Sequence, residues 1–460
     1  MFIQKPETKI KRNAGLLLLC LIGIDGTIGG SIFVLLSGGI ELAGAYTPLA
    51  FVLGGILALL GGLLYAEVGT TIPRPGADLA YVFTAFKRRL YPFLFSWSVL
   101  LGDIGYLAIN ALGFGFYLGL VLGVSPVLIA LAALVLAALI NVRGIQNAGK
   151  TEAFTVTTLI VLLIAFGLYT TGSDMSLAHT VTYEDFQIAG VLAATALIFT
   201  SFVGYEYIAT LSGEAKNAGK NIPLAMVITI VVSTLVFSSV AYFTLIGAPQ
   251  DELAASEAPL LTVANYLGGA GQAIVIPAAL LATGGSMIAA TMITSRRLYA
   301  IAHEGFFGSF LTKINKQKVP ARAILVCSLL ASILVLSQAV NFVAYMSNTV
   351  YLIGLITIAL SILRLRKSRP YLPRPFKAPL FPFVPFAIIG LAGVLLVFVD
   401  KKSMFLVGVW ATIGWFAYLL GTLDQHRWKL LGRGALLFAF LLLAAIFVAS
   451  YFVVEHLLGY

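Results

Sequence analysis

Thirteen long apolar runs constrain the fold of this chain more than any other feature of its sequence. A helix that crosses a bilayer needs about 20 predominantly apolar residues. The runs lie at about 14–40, 48–71, 91–121, 125–141, 152–171, 188–211, 224–247, 271–299, 321–339, 341–363, 380–399, 403–422 and 434–455. They lack the polar–apolar alternation of a membrane β-barrel. The sequence therefore predicts an all-α polytopic membrane protein with twelve or thirteen spans.

Composition excludes a soluble protein. Of the 460 residues, 60% are hydrophobic and only 10% are charged, whereas soluble domains carry about 25% charged residues. The net charge of +10 could suggest nucleic-acid binding, but the positions of the basic residues argue for a signal of membrane orientation.

The basic residues predict which loops face the cytoplasm. Short cytoplasmic loops are enriched in Lys and Arg. If the N-terminus is cytoplasmic, the clusters at 87–89, 143–150, 216–220, 313–322, 364–377 and 427–433 all lie inside, and only Lys401 and Lys402 lie outside. We therefore expect a multi-pass protein of the cell (plasma or inner) membrane with a cytoplasmic N-terminus. The segment 434–457 is a possible extra transmembrane helix.

Span one contains a glycine-rich polar interruption. Four glycines and Asp25 occur within residues 23–30, and each interior glycine costs about 1 kcal/mol relative to alanine. One interpretation is close packing of two helices through glycine. The other is a discontinuous helix whose unwound centre offers backbone groups to a ligand. We favour the second, because the glycines run around the whole helix.

Span six carries a similar interruption, in residues 199–206, five spans after the first. Interrupted helices at corresponding positions of two halves are typical of inverted-repeat transporters, in which the binding site lies between the two breaks. The sequence thus predicts a transport site formed by spans one and six.

Five motifs occur in order between residue 10 and about residue 425. They are the glycine-rich stretch 23–33; Ala66-Glu67-Val68 with 73–78 and Tyr81; 201–206 with 213–217 and Ile222-Pro223; 296–305; and Arg374-Pro375-Phe376-Lys377. Together they resemble the motifs of the amino acid–polyamine–organocation (APC) permeases, which have the LeuT fold.

The resemblance implies an APC-type permease bundle over residues 1–425. It would be a LeuT-like 5+5 inverted repeat with discontinuous helices 1 and 6, plus two or three extra C-terminal helices. Repeat one would cover about 14–171, repeat two about 188–363, and spans eleven and twelve about 380–422.

The resemblance also implies a substrate site built mostly from backbone groups at the two breaks. Its expected residues are Ile24, Asp25, Gly26, Thr27, Ile28, Gly29, Gly30, Ser31, Thr200, Ser201, Phe202 and Gly204. Phe199 or Phe202 would act as an aromatic gate.

This chain departs from the family pattern in two ways. Many members carry Asn, Ala or Gly in place of Asp25, and many proton-coupled members carry a lysine in the middle of span five. That lysine is expected at Thr158 here, and no lysine lies in the core of the span. Thr158 and Ser286 could instead supply oxygen ligands to Na⁺, or play no part in coupling.

Three acids, Asp25, Asp103 and Glu206, lie well inside apolar spans. An ionised carboxylate at the bilayer centre costs at least about 2.5–3.5 kcal/mol, and the sequence shows no basic residue at matching depth. We expect these acids to be protonated, to bind a cation or to face a wet cavity, and they are candidates for ion or proton coupling. The alternative is a protonated acid hydrogen-bonded to a neighbouring helix.

The sequence carries no enzyme signature. His303-Glu304 is not followed by the second histidine of H-E-x-x-H, and G-x-S-x-G, a P-loop and C-x-x-C are lacking. We expect no catalytic residues, no metal centre and no cofactor other than a bound Na⁺ or H⁺.

These observations predict a secondary active transporter of amino acids or related amines, driven by a proton or sodium gradient and working by alternating access. The alternative is potassium uptake on the same fold through Asp25 and Asp103. The expected partners are a small-molecule substrate and the lipid bilayer, with no nucleic acid, and the protein would be a monomer or homodimer.

Overall fold

The computed structural model describes residues 14–73, 77–86, 89–144, 148–172, 186–306 and 310–422. In these ranges the regular secondary structure is helical, apart from one isolated parallel β-bridge between Ala14 and Ala215. The α-helices are α1 (Leu16–Thr27), α2 (Ser31–Ala43), α3 (Thr47–Thr71), α4 (Ala77–Ala85), α5 (Leu90–Leu122), α6 (Pro126–Arg143), α7 (Ala148–Gly172), α8 (Ile188–Ile198), α9 (Tyr207–Thr210), α10 (Ala218–Gly247), α11 (Gln250–Ala255), α12 (Pro259–Tyr266), α13 (Gly268–Ile301), α14 (Ala321–Ser337), α15 (Val340–Ser368), α16 (Phe383–Val397) and α17 (Lys401–Thr422).

Twelve of the thirteen predicted spans correspond to these helices. Nine helical segments among the described residues are long and apolar enough to cross a membrane, and α1, α14 and α16 are shorter apolar helices. Span one consists of α1 and α2, and span six consists of α8, a 3-10 turn and α9. The predicted all-α polytopic fold is confirmed. The possible helix at 434–457 lies outside the described residues.

The helices pack as two groups that meet at the interrupted spans. One group contains α1, α3, α8 and α10, and the other contains α5, α6, α13 and α14. Helix α15 contacts α5 of the second group and α3 and α8 of the first, and α2 packs against α8 and α5. Both interrupted spans are therefore enclosed by long continuous helices.

Two connections differ in their secondary structure. The 249–269 stretch forms two short helices, α11 and α12. The proline-rich connection that leads into α16, residues 369–382, contains no helix.

A pair of tryptophans joins α17 to the bundle. The rings of Trp97 in α5 and Trp410 in α17 stack with centroids 4.4 Å apart. Each indole N–H donates to the other residue's carbonyl oxygen, at 2.9 and 2.8 Å. This reciprocal pairing satisfies both buried indole donors and fixes α17 against α5.

Candidate functional site

The first break is shorter than the glycine cluster that predicts it. Helix α1 continues to Thr27 and α2 begins at Ser31, so only residues 28–30 are unwound. At Gly23 a Cβ would lie 2.5 Å from the side chains of Ile208 and Thr229. Both interpretations of the cluster therefore apply, because Gly23 permits close packing while residues 28–30 interrupt the helix.

Side chains of α5 and α13 replace the hydrogen bonds that the break removes. The Gly30 N–H donates to Asn110 Oδ1 at 2.9 Å, and the Tyr106 hydroxyl donates to the Gly26 carbonyl oxygen at 3.1 Å. Ser286 Oγ lies 3.5 Å from the Asp25 carbonyl oxygen. Buried backbone groups need such partners in a membrane, so hydrogen bonds from the surrounding helices stabilise the unwound backbone.

The second break has a different form. Helix α8 ends at Ile198, a 3-10 turn covers Phe199–Phe202, and Gly204 has φ +126° before α9 begins. Asn348 of α15 holds this turn. Its Nδ2 donates to the Leu197 carbonyl oxygen at 2.5 Å, and its Oδ1 accepts from Thr200 Oγ1 at 2.5 Å.

The structure brings the two breaks into direct contact. A Cβ at Gly204 would lie 2.8 Å from the Thr27 backbone nitrogen and even closer to the Gly26 carbonyl oxygen. With its positive φ, this position requires glycine. The backbone of span six thus lies against the backbone of span one, as expected of a site shared by both.

Several predicted site residues are buried hydroxyls at these breaks. Thr27, Ser31, Thr200 and Ser201 are all 0% exposed. Thr200 is bonded to Asn348, but Thr27 Oγ1, Ser31 Oγ and Ser201 Oγ have no hydrogen-bond partner in the protein. Buried hydroxyls are normally paired, so three unpaired ones at two touching breaks suit a site that receives a polar ligand.

The two proposed gate residues differ in their surroundings. The Phe202 ring packs edge-on against Phe237 of α10, with centroids 5.3 Å apart, and lies against Gly54 of α3. Phe199 is 6.4 Å from Phe202, centroid to centroid. Phe202 is thus part of the α3–α10 packing, which leaves Phe199 as the better candidate for a gate.

Asp25 lies in the last turn of α1 and is partly exposed. Its Oδ1 and the methyl group of Thr155 in α7 each lie 3.8 Å from the position that a Cβ on Gly285 would take. The residue of α7 that faces this region is therefore Thr155, and Thr158 lies almost one turn further along the helix. With Ser286 near the Asp25 carbonyl, α1, α7 and α13 bring three oxygen-bearing side chains to one region.

Glu206 is also partly exposed and lies immediately before α9. Its Oε2 accepts a hydrogen bond from the Gly204 N–H at 2.9 Å. The carboxylate therefore holds the backbone of the second break at Gly204, whatever else it does.

Asp103 has a basic partner, contrary to the expectation from the sequence. It is 3% exposed and lies 2.6 Å from Arg297 Nε, while Arg297 Nη1 reaches Asp78 at 2.8 Å. The Tyr351 hydroxyl also donates to Asp103, at 3.1 Å. Arg297 lies near the end of the predicted span 271–299, but α13 continues to Ile301. Because side chains lean toward the helix N-terminus, its guanidinium reaches inward.

A second buried acid joins two of the sequence motifs. Glu67 of α3 is 0% exposed and pairs with Arg366 Nη2 at 2.5 Å and Arg374 Nε at 3.4 Å. It also accepts from the Ala378 N–H at 2.8 Å. Glu67 therefore anchors the proline-rich connection to α3.

Sequence reasoning missed Tyr106, Asn110 and Asn348, which hold the breaks. Residues 103, 106 and 110 share one face of α5 by their spacing, and this polar stripe in an apolar span was the available signal. Within the described residues, no group of three or more His, Cys, Asp or Glu side chains is placed to hold a metal ion.

Comparisons with known proteins agree with this architecture. The family described as "Amino acid permease" matches residues 15–410. The chain is 26% identical to the branched-chain amino acid permease BcaP of Bacillus subtilis (strain 168), over 90% of this chain and 94% of that protein. It is 31% identical to the Asc-type amino acid transporter 1 of Homo sapiens, over 87% of this chain and 80% of the relative. It is also 31% identical to the large neutral amino acids transporter small subunit 2 of Mus musculus, over 91% and 83% respectively.

Proposed function

Since the chain belongs to the amino acid permease family, we propose that it transports amino acids or related amines across the cell membrane by alternating access, driven by a proton or sodium gradient. It is a multi-pass membrane protein and a transporter rather than an enzyme. We place its N-terminus in the cytoplasm and expect it to act as a monomer or homodimer.

The contact between the two broken spans carries this proposal. Gly26 and Gly204 meet backbone to backbone, and unpaired hydroxyls of Thr27, Ser31 and Ser201 are buried there. Three such hydroxyls lie at the two breaks that touch. The arrangement suits a small polar substrate that supplies the missing hydrogen bonds.

The N-terminus of α2 suits the α-carboxylate of an amino acid. The first backbone N–H groups of a helix have no intrahelical acceptor, and the helix dipole favours an anion there. The Gly30 N–H is already bonded to Asn110, so the amides of Ser31 and Ile32, with the Ser31 hydroxyl, would bind the carboxylate.

Asp25 is the proposed coupling residue. Its carboxylate lies where α1, α7 and α13 meet, and ionisable side chains inside membrane spans commonly mark ion or proton pathways. The cation that it binds during transport would be a proton, a sodium ion held with Ser286 and Thr155, or the substrate amine. Asp103 is ion-paired with Arg297, and Glu206 accepts a hydrogen bond from the Gly204 amide. Glu206 remains a second candidate for titration during transport.

Potassium uptake is not favoured. It would use Asp25 and Asp103 as a pair, but Asp103 is compensated by Arg297 at 2.6 Å. A ligand that binds the folded state raises its apparent stability. Amino acids, and not K⁺ or Rb⁺, should therefore raise the melting temperature of the purified protein.

Transport by reconstituted protein tests the proposal. Proteoliposomes would be offered a panel of labelled amino acids with an imposed pH gradient, an imposed Na⁺ gradient or neither. Uptake above that of empty liposomes, stimulated by one gradient, is the expected result. Folded protein that takes up Rb⁺ and no amino acid would contradict it.

A further inference from the structure

We infer that the site selects a small amino acid with a side-chain hydroxyl, such as serine or threonine, over large apolar amino acids. This inference rests on the proposed function and deepens it by naming the substrate class.

The unpaired hydroxyls are the first observation. Thr27, Ser31 and Ser201 are 0% exposed, and none of their oxygens has a hydrogen-bond partner in the protein. Thr27 and Ser31 flank the first break, while Ser201 lies in the 3-10 turn of the second, which packs against α2. A buried hydroxyl without a partner costs free energy, and a polar ligand that bridges the two breaks would recover that cost for all three.

The distribution of these hydroxyls matches the groups of one amino acid. Ser31 and Thr27 adjoin the N-terminus of α2, where the carboxylate is expected. Ser201 belongs to the other break, so a substrate spanning both would bring its side chain to that residue. A serine or threonine hydroxyl would pair with Ser201 Oγ, whereas an alkyl group would leave it unpaired.

The space at the breaks is the second observation. The Gly26 and Gly204 backbones are in contact, and at Gly29 a Cβ would lie 2.7 Å from Ser286 Oγ. At Gly30 a Cβ would lie 2.9 Å from Asn110 Oδ1. Side chains of α5 and α13, the Thr283 methyl group among them, thus fill the space beside these two glycines.

Two of the rings near the second break pack against other helices. Phe202 lies against Phe237 and Gly54, and Tyr205 packs on Tyr65 with centroids 6.1 Å apart. Phe199, the candidate gate, remains at this break. An apolar substrate would leave the buried hydroxyls there unsatisfied.

Counterflow exchange in proteoliposomes tests the inference. Vesicles loaded with unlabelled L-serine, L-alanine, L-leucine or L-phenylalanine would exchange against labelled L-serine. Serine should show the lowest half-saturation concentration, about tenfold below that of alanine, which is the effect of one buried hydrogen bond. Leucine and phenylalanine should be weaker still.

The variant Ser201→Ala tests the assigned residue. It should bring the alanine-to-serine ratio of half-saturation concentrations close to one. The matched control is Ser328→Ala, which removes another buried and unpaired hydroxyl, on α14, and should keep the wild-type ratio. If Ser201→Ala does not fold, stabilisation of the wild-type protein by serine relative to alanine, measured by melting temperature, replaces it.

The outcomes separate the inference from the proposed function. Better exchange of leucine or phenylalanine than of serine, or an unchanged ratio in folded Ser201→Ala, overturns the substrate class and leaves amino acid transport intact. A larger rise in melting temperature with alanine than with serine also overturns the substrate class and leaves amino acid transport intact. Folded wild-type protein that exchanges none of the four amino acids overturns the inference and counts against the proposed function.

Discussion

At the scale of single residues, the variant Asp25→Asn tests whether Asp25 binds the substrate amine or a coupling proton or Na⁺. This change keeps the shape of the side chain and removes its charge. If the substrate amine is the partner, affinity should fall about tenfold or more, which corresponds to about 1.4 kcal/mol. If a proton or Na⁺ is the partner, exchange should persist while gradient-driven accumulation disappears.

Proteoliposome exchange and accumulation, measured side by side, distinguish these results. The matched control is Asp251→Asn, an exposed acid of α11, which should leave both unchanged. Wild-type exchange together with wild-type accumulation in Asp25→Asn would remove this residue from the mechanism.

Gly204 provides a residue-scale test of the contact between the breaks. Its φ of +126° and the Gly26 carbonyl oxygen beside it exclude a Cβ, so Gly204→Ala should destabilise the protein by more than about 1 kcal/mol. Gly390→Ala in α16, where a Cβ would meet nothing within 4 Å, should be neutral or stabilising. Melting temperatures of the two variants in detergent give the comparison, and equal values would mean that the breaks do not touch.

At the scale of helices, Arg297 joins α13 to α4 and α5 through Asp78 and Asp103. Removing one partner of a buried ion pair leaves an uncompensated charge and costs about 3–5 kcal/mol. Arg297→Met should therefore strongly lower the melting temperature. Arg296→Met alters the exposed neighbour on the same helix and should change it little.

A rescue experiment separates charge from packing. Adding Asp78→Asn and Asp103→Asn to Arg297→Met removes the stranded charges, so much of the lost stability should return. Failure of the rescue would show that Arg297 acts through its packing and not through its ion pairs.

The helices could be predicted from the sequence because each span must be long and apolar, a local property that composition reveals. Both breaks could also be located, since glycine and polar residues interrupt apolar runs there. The exact unwound residues could not, because Gly23 serves packing against Ile208 and Thr229, which is a tertiary contact. The roles of Asn110, Asn348 and Arg297 depend on helices distant in sequence, and one sequence does not show which helices are neighbours.

At the scale of the whole molecule, the orientation in the membrane follows from the loop charges. Basic residues favour the cytoplasmic loops, and Lys401 and Lys402 are the exception. Asp400 beside them caps α17 by accepting a hydrogen bond from the Ser403 N–H at 2.9 Å. Asp400 does not cancel the two lysines, because acidic residues weigh little in the bias. The six basic clusters on the other side outnumber this one loop and should decide the orientation.

Cysteine labelling tests this orientation. The native Cys20 and Cys327 are 8% and 0% exposed, so background labelling should be low. Asp251 and Lys316 are both exposed and lie at opposite ends of α13, one span apart. A membrane-impermeant maleimide added to intact cells should label Asp251→Cys, and it should label Lys316→Cys only after permeabilisation. The reverse pattern would place the N-terminus outside, and would mean that the basic clusters do not set the topology of this chain.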